Sequence, residues 1–296
     1  MKRLVTVLLA LLLLLSAAGC SARETNGDAE GLTVTCTTYP VYLMAQAVTE
    51  GTEGITLTLM IQQEISCLHN YTLTINDMKK VEGADLIAIS GAGLEEFLSD
   101  ALEGRNTVDC SEGISLLWNE EEGEDDPHYW LSPANAAQMA RNLAEAFGAI
   151  DPDNSARYQA NAEAAAAELA AFQSELTDSI PADCPRELIT FHDGFSYFAE
   201  AFGFTIVAAV EEEEGAEASA RRISELVAYI DQYSLPAVFV EANGSDTTAQ
   251  CLAAERGCAI GVLNMGMSAG DGAETGLAAY EALLQGNITA ILEAYL

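Results

Sequence analysis

The feature that most constrains the fold is an alternation of short β-rich runs with longer helix-like segments, which continues along most of the chain. The predicted strands are residues 32–37, 55–61, 85–90, 107–110, 188–191, 205–210, 237–241 and 259–263. The predicted helices include one that begins at a capping box of Thr74 and Asp77 and ends at Val81, and one at 94–102 after a turn at Gly91 and Gly93. Strands that alternate with helices form parallel sheets covered by helices on both faces. The pattern therefore predicts an α/β fold with two lobes, each built on a parallel sheet flanked by helices.

One long helix is predicted between the two series of strands, beginning near Asp151-Pro152. Its apolar side chains repeat at steps of three and four residues: Tyr158, Ala162, Ala165, Leu169, Phe172 and Leu176. About 25 residues at 1.5 Å each span roughly 38 Å, enough to run along both lobes, although a plain surface helix fits the pattern equally. We predict an N-terminal lobe at 31–149, this linking helix at 150–180 and a C-terminal lobe at 181–296.

The start of the chain has the composition of an export signal, with a basic Lys2-Arg3, an apolar run and small residues directly before Cys20. The apolar run is too short to span a membrane. We predict a lipoprotein signal peptide at 1–19, acylation of Cys20 and a polar, flexible tether at 20–30. The expected location is extracytoplasmic, on a bacterial cell membrane through the lipid anchor, and periplasmic in a Gram-negative organism. An ordinary secretory peptide with a chance cysteine is the alternative.

The charge of the chain is strongly negative, with 12 Lys and Arg against 46 Asp and Glu. Such a charge argues against binding to nucleic acids and to anionic lipid surfaces. It fits a cationic ligand, but a solvated acidic surface explains it as well. The run at 120–126 is acidic too and is more typical of a solvated loop.

The cysteines other than Cys20 are Cys36, Cys67, Cys110, Cys184, Cys251 and Cys258. The chain has no CxxC pair, which argues against a zinc site made of cysteines alone. The predicted location permits disulfides. Cys251 and Cys258 are close enough in sequence to pair, but the sequence does not determine the connectivity.

The chain has three histidines, His69, His128 and His192. His69 and His192 follow predicted strands, and the carboxyl ends of parallel strands are where α/β sheets bind ligands. His128 comes just before a predicted helix that begins at Ser132-Pro133. A lone histidine in such a position is usually a hydrogen-bonded core or loop residue. Together, two histidines from the first lobe and one from the second could hold a single metal ion between the lobes.

Six segments, in order, resemble those of the ZnuA/TroA-like metal-binding receptors of bacterial ABC importers. They are residues 37–40, 67–71 with 77–78, 84–95, 126–133 (DPHYWLSP), 191–195 (FHDGF) and 240–241. The resemblance implies two α/β lobes, a spanning helix, an interlobe metal site with His69, His128 and His192 as ligands, and no enzymatic activity. It also implies permease and ATPase subunits of an ABC transporter as partners, and we expect a monomer.

The sequence departs from the family's pattern at the fourth ligand, which is often a carboxylate in the loop after the last strand. Here that loop has no acid before Asp271. The fourth position is therefore open to a water, Asp271, Asn264 or Glu64. Two smaller departures are that the acidic run lacks the histidines of many zinc-binding members, and that Asn70 follows His69 where an aspartate is common.

The predicted ligands favour zinc, because Zn²⁺ takes tetrahedral, nitrogen-rich sites. Mn²⁺ prefers oxygen ligands and higher coordination, so a manganese or iron receptor of the same family is the alternative, while Cu²⁺ and Ni²⁺ also accept imidazole. Metal binding should weaken as the histidines protonate, with a loss of affinity below about pH 5.5.

Two other classes of protein share part of this pattern. A zinc-dependent hydrolase would use three histidines and a water, with Glu241 or Asp193 as general base. The chain has no HExxH motif and its histidines are widely scattered, which suits enclosure of an ion better. We therefore expect Asp193 to orient a histidine or cap a helix, and Glu241 to border the cleft. A receptor for an organic solute, or an adhesin, would need aromatic walls; candidates are Tyr39, Tyr129, Trp130 and Phe195.

Overall fold

Two four-stranded parallel sheets organise the protein, as the sequence predicts. The computed structural model describes residues 31–63, 68, 71–119, 123–210, 219–268 and 275–296. Leu32–Leu296 forms one compact unit. Cys20, the signal peptide and the tether lie outside the described residues, and the lobe boundaries given above remain predictions. No helix in the described ranges has the length and apolar character needed to cross a membrane.

The strands are β1 Leu32–Cys36, β2 Ile55–Leu59, β3 Leu86–Ile89, β4 Thr107–Asp109, β5 Trp118–Asn119, β6 Glu124–Asp125, β7 Glu187–Thr190, β8 Thr205–Ala209, β9 Ala237–Glu241 and β10 Ala259–Leu263. The helices are α1 Tyr39–Val48, α2 Ile75–Glu82, α3 Ser99–Leu102, α4 Pro133–Ile150, α5 Ser155–Ser179, α6 Ser196–Phe202, α7 Ala220–Tyr233, α8 Thr247–Arg256 and α9 Gly276–Tyr295.

Each sheet has a point at which the strand order reverses. The first sheet has the order β2-β1-β3-β4, and the second has the order β10-β9-β7-β8. In the first sheet, β2 and β3 lie on opposite sides of β1. In the second sheet, β8 and β9 lie on opposite sides of β7. Crevices at the carboxyl ends of the strands around such reversals are the usual ligand sites of α/β sheets. They lie between β1 and β3 in one sheet and between β7 and β9 in the other.

Local signals explain most helix starts. Pro40 and Pro133 lie in the first turns of α1 and α4, where a missing backbone N–H costs nothing. Thr74 and Asp77 form the predicted capping box of α2, each accepting from the backbone N–H of the other. Ser132 occupies the N-cap position of α4, but its side chain makes no capping hydrogen bond.

One local prediction is wrong, and one element was not predicted. The helix expected at 94–102 is a 3₁₀ turn, Glu96–Leu98, followed by the single turn of α3. Gly91, Ala92 and Gly93 all have positive φ, and this left-handed stretch delays the helix. The antiparallel β5–β6 hairpin was not predicted, because strands of two residues are too short to show an alternating pattern.

The long helix α5 has 25 residues and pairs with α4. Its predicted stripe faces inward, although Phe172 is only half-buried. A 3₁₀ turn at Pro152–Asn154 separates Asp151 from the α5 start, and Asp151 Oδ2 accepts a 2.6 Å hydrogen bond from Tyr158 OH.

The last helix, α9, returns to the first half of the chain and packs on α1. At its start, Gly276 N donates to Gln46 Oε1 at 3.0 Å. One turn later, Tyr280 OH donates to Trp130 O at 2.7 Å. A single hydrophobic cluster therefore includes side chains of α1, α4, α5 and α9.

The described cysteines are all free thiols, and four of the five are buried. The pairing of Cys251 with Cys258 that sequence proximity allowed is not formed. Cys251 is exposed on α8, and Cys258 is buried just past the end of that helix. Cys67 lies outside the described residues.

Candidate metal centre

The structure brings His128 and His192 together from segments 64 residues apart, with their Nε2 atoms 3.4 Å from each other. Their rings are almost perpendicular, at 89°. His192 follows β7 at the reversal point of the second sheet, whereas His128 follows the β5–β6 hairpin. His128 is only 4% exposed, so its imidazole has lost most of its contact with water.

The orientation of His128 is determined by Asp126, a buried carboxylate two residues earlier. Asp126 Oδ1 accepts from the backbone N of His128 at 2.9 Å and pairs with its Nδ1 at 2.8 Å. An acceptor at this distance places the proton on Nδ1 and leaves the lone pair of Nε2 directed at His192. Tyr197 OH donates to Asp126 O at 2.8 Å and so fixes the segment that carries both residues.

His192 has a carboxylate behind it as well. Glu241, the last residue of β9, places Oε2 3.5 Å from His192 Nδ1 and is buried. The Nε2 atom of His192 is therefore the one that faces His128. Carboxylates in this position fix the tautomer of a histidine and increase its basicity as a ligand.

The distance between the two Nε2 atoms fits a shared metal ion. Zn–N bonds of about 2.0–2.1 Å at a tetrahedral angle separate two nitrogens by about 3.3 Å. The observed separation is 3.4 Å. The same bonds at a right angle would bring the nitrogens to about 2.9 Å. The separation of the two nitrogens is therefore compatible with two ligands of one tetrahedral ion.

Comparison with known proteins decides the family. A family model described as "Zinc-uptake complex component A periplasmic" (ZnuA) matches residues 34–294. The chain belongs to the ZnuA family. Its members are substrate-binding proteins of metal ABC importers and not enzymes, which excludes the hydrolase interpretation.

Similar proteins carry names for two different metals. The manganese-binding lipoprotein MntA of Halalkalibacterium halodurans is 30% identical over 249 residues, which cover 81% of this chain and 82% of MntA. The high-affinity zinc uptake system protein ZnuA of Bacillus subtilis is 27% identical over 278 residues, covering 87% of this chain and 86% of that protein. A crystal structure of ZnuA has a TM-score of 0.77 at 24% identity and covers 90% of this chain and 100% of that one.

In this ZnuA-family chain, a buried polar network ties the His128 segment to the first sheet. Tyr129 OH donates to Ser90 O, and the hydroxyls of Ser90 and Thr38 are 2.8 Å apart. These residues lie at the reversal point between β1 and β3. The network holds the segment of His128 against the carboxyl edge of the first sheet, while His192 sits at the matching edge of the second.

Glu95 is a further member of this buried network. Its carboxylate accepts from Thr37 Oγ1 at 2.6 Å, from Ser90 N at 2.7 Å and from Gly91 N at 3.0 Å. Burial raises the pKa of Glu95, and the three hydrogen bonds oppose that rise. Two of these hydrogen bonds hold the backbone of Ser90 and Gly91, at the start of the left-handed stretch that precedes the 3₁₀ turn.

The aromatic residues near the histidines pack into the core. Tyr129, Trp130 and Phe195 are each at most 1% exposed, and Tyr39 is half-buried. Trp130 lies edge-on to His128 with ring centroids 5.4 Å apart. These side chains support the histidine pair, and buried rings do not provide the open aromatic walls that an organic solute would need.

Several candidate ligands lie outside the described residues, namely His69, Glu64 and Asp271. Asn264 is described, and its Oδ1 accepts from Gly266 N at 2.7 Å. Within the described ranges, no cluster of three or more His, Cys, Asp and Glu has the arrangement of a metal site. His69, the third histidine of the predicted set, therefore stays a prediction.

Asp193 does not cap α6, whose N-cap is Phe195. Its Oδ2 accepts from Asn119 Nδ2 of the hairpin at 2.9 Å, which links the segments of the two histidines. Sequence reasoning missed Asp126 and Glu95. The signal for Asp126 was an acid two residues before a histidine, separated from it by a proline.

Proposed function

We propose that this chain captures Zn²⁺ with His69, His128 and His192 and delivers it to the permease of an ABC transporter. The observation that carries the proposal is the pair of Nε2 atoms at 3.4 Å, each imidazole with a carboxylate behind it. Neutral imidazole donors at tetrahedral spacing suit Zn²⁺ better than Mn²⁺, which prefers oxygen ligands. A manganese receptor is the second candidate, supported by the name of MntA.

The fourth position is proposed to be a water or a carboxylate outside the described residues, Asp271 or Glu64. Asn264 is the weaker candidate, because its side-chain oxygen already accepts the Gly266 N–H. We further propose that the protein acts as a monomer held at the membrane by a lipid on Cys20. The name of MntA as a lipoprotein supports the anchor. A Cys20→Ala variant that still partitions with membranes would contradict it.

Competition against a chromogenic zinc chelator tests the proposed ligands. We expect replacement of the three histidines by alanine to abolish stoichiometric Zn²⁺ binding, and each single replacement to weaken it. Glu163→Gln, which removes one exposed carboxylate, is the control for nonspecific attraction by the acidic surface. Unchanged zinc binding by the triple variant would overturn the proposal. Tighter binding of Mn²⁺ than of Zn²⁺ by the native chain would favour the second candidate.

A further inference from the structure

A methionine borders the histidine pair. A Cβ atom added at Gly194 would lie 2.8 Å from His192 Cδ2 and 3.1 Å from His128 Cγ. The same atom would lie 2.7 Å from Met265 Cε. The two imidazoles and the end of the Met265 side chain therefore converge on one small space above the Gly194 backbone.

The position of Met265 is fixed from several directions. Trp130 Nε1 donates to Met265 O at 2.8 Å. The preceding residue, Asn264, exchanges two hydrogen bonds of 2.8 Å with the side chain of Asn287 on α9. The Met265 residue itself is only 1% exposed. Its side chain is therefore held beside the histidines and has little room to turn away.

The chemistry of a thioether differs from that of the oxygen donors that hard ions require. The described part of the loop after β10 reads Asn264-Met265-Gly266-Met267-Ser268 and contains no carboxylate. Thioether sulfur is polarisable and favours soft ions such as Cu⁺, whereas Mn²⁺ favours carboxylate, carbonyl and water oxygens. A buried thioether also gives Mn²⁺ no replacement for the hydration it would lose.

We propose that Met265 contributes to metal specificity at this site as a thioether donor, so that the site admits soft, thiophilic ions of the Cu⁺ class alongside Zn²⁺. This inference rests on the proposed function, because it requires the ion to sit at the histidine pair. Met265 acts as a soft donor at the edge of the site, and His128 and His192 remain the principal ligands.

The test compares the Cu⁺ and Zn²⁺ affinities of the full chain by chelator competition under reducing conditions. Met265→Leu keeps the volume and removes the sulfur. We expect Cu⁺ affinity to fall at least about tenfold and Zn²⁺ affinity to change less than about threefold. Met44→Leu, at a fully buried core position of α1, is the matched control and should change neither. Cu⁺ binding that persists in a His128→Ala/His192→Ala variant, such as that of the exposed Cys251 thiol, is subtracted from the Cu⁺ measurement.

A spectroscopic measurement detects contact between the ion and the Met265 side chain directly. In selenomethionine-labelled protein loaded with Cu⁺, X-ray absorption should show a copper–selenium distance that disappears in Met265→Leu. Absence of that signal, an unchanged Cu⁺ affinity, or equal weakening of both ions would overturn the role of Met265. Zinc binding that survives in the double histidine variant would instead overturn the proposed function, whatever Met265 does.

Discussion

Asp126 offers a sharp test of how the site is built, because one oxygen performs two functions. Its Oδ1 accepts from His128 N at 2.9 Å and from His128 Nδ1 at 2.8 Å. Asp126→Asn can keep an amide oxygen in the same place but loses the negative charge. Asp126→Ala loses the acceptor as well and leaves the buried N–H of His128 without its partner.

The two substitutions should therefore weaken zinc binding by different amounts. Loss of a carboxylate behind a metal-binding histidine costs about 10–100-fold in metal affinity, or about 1.4–2.7 kcal/mol. We expect Asp126→Asn near the lower end, because the imidazole keeps its orientation. Asp126→Ala should reach the upper end, and it should also destabilise the metal-free protein by about 1–3 kcal/mol through the unpaired buried N–H.

Zinc affinity is measured by chelator competition at constant pH, and stability by denaturant unfolding in the absence of zinc. Asp125→Asn is the matched control, since it removes the same charge from an exposed neighbouring position in β6. If Asp125→Asn and Asp126→Asn weakened zinc binding equally, the effect would be long-range attraction and the argument from His128 would fail.

Three further predictions concern residues around the site. Gly194→Ala should weaken zinc binding at least about tenfold, because the new Cβ lies 2.8 Å from His192 Cδ2 and displacing packed groups costs about 1–3 kcal/mol; unaltered affinity in the same competition assay would refute it. Thr190→Val should leave stability unchanged or raise it by up to about 1 kcal/mol in denaturant unfolding, because the buried Thr190 Oγ1 has no hydrogen-bond partner among the described atoms; a clear loss would contradict this. Burial raises the pKa of Glu95 in the folded protein. The stability that the protonated side chain contributes is therefore fully present below the pKa of about 4.3 in the unfolded chain, and it is lost as the pH rises through the pKa in the folded protein. The stability of the native chain relative to Glu95→Gln should therefore fall as pH rises above about 4.3, and a pH-independent difference would count against the prediction.

The sequence predicts the sheets well because their strands carry continuous apolar runs. Parallel strands buried on both faces leave this signal in any context, and the observed bounds differ from the predicted ones by only one or two residues in most strands. The meeting of His128 with His192 also follows in part from the sequence, since His192 comes at the carboxyl end of a predicted strand.

The features that the sequence does not predict depend on contacts between residues distant in sequence. Glu241, the carboxylate behind His192, belongs to another strand, and its contact with His192 becomes visible only when the two segments meet. Glu95 looks like an ordinary residue of an amphipathic helix, but in the structure its carboxylate accepts a hydrogen bond from Thr37, which lies 58 residues earlier in the chain. Tertiary hydrogen bonds of this kind override local helix propensity.

The return of α9 to α1 has a consequence for the order in which the protein can fold. Synthesis produces the first sheet more than 150 residues before Gly276, whose N–H contacts Gln46. Until the final helix emerges, the surface of α1 that it covers faces solvent, and Trp130 O lacks its Tyr280 donor. The N-terminal half is thus only partly folded, and it stays exposed to proteases and prone to aggregation until α9 packs on α1. Deletion of the last 20 residues should consequently destabilise the N-terminal half of the fold as much as the C-terminal half.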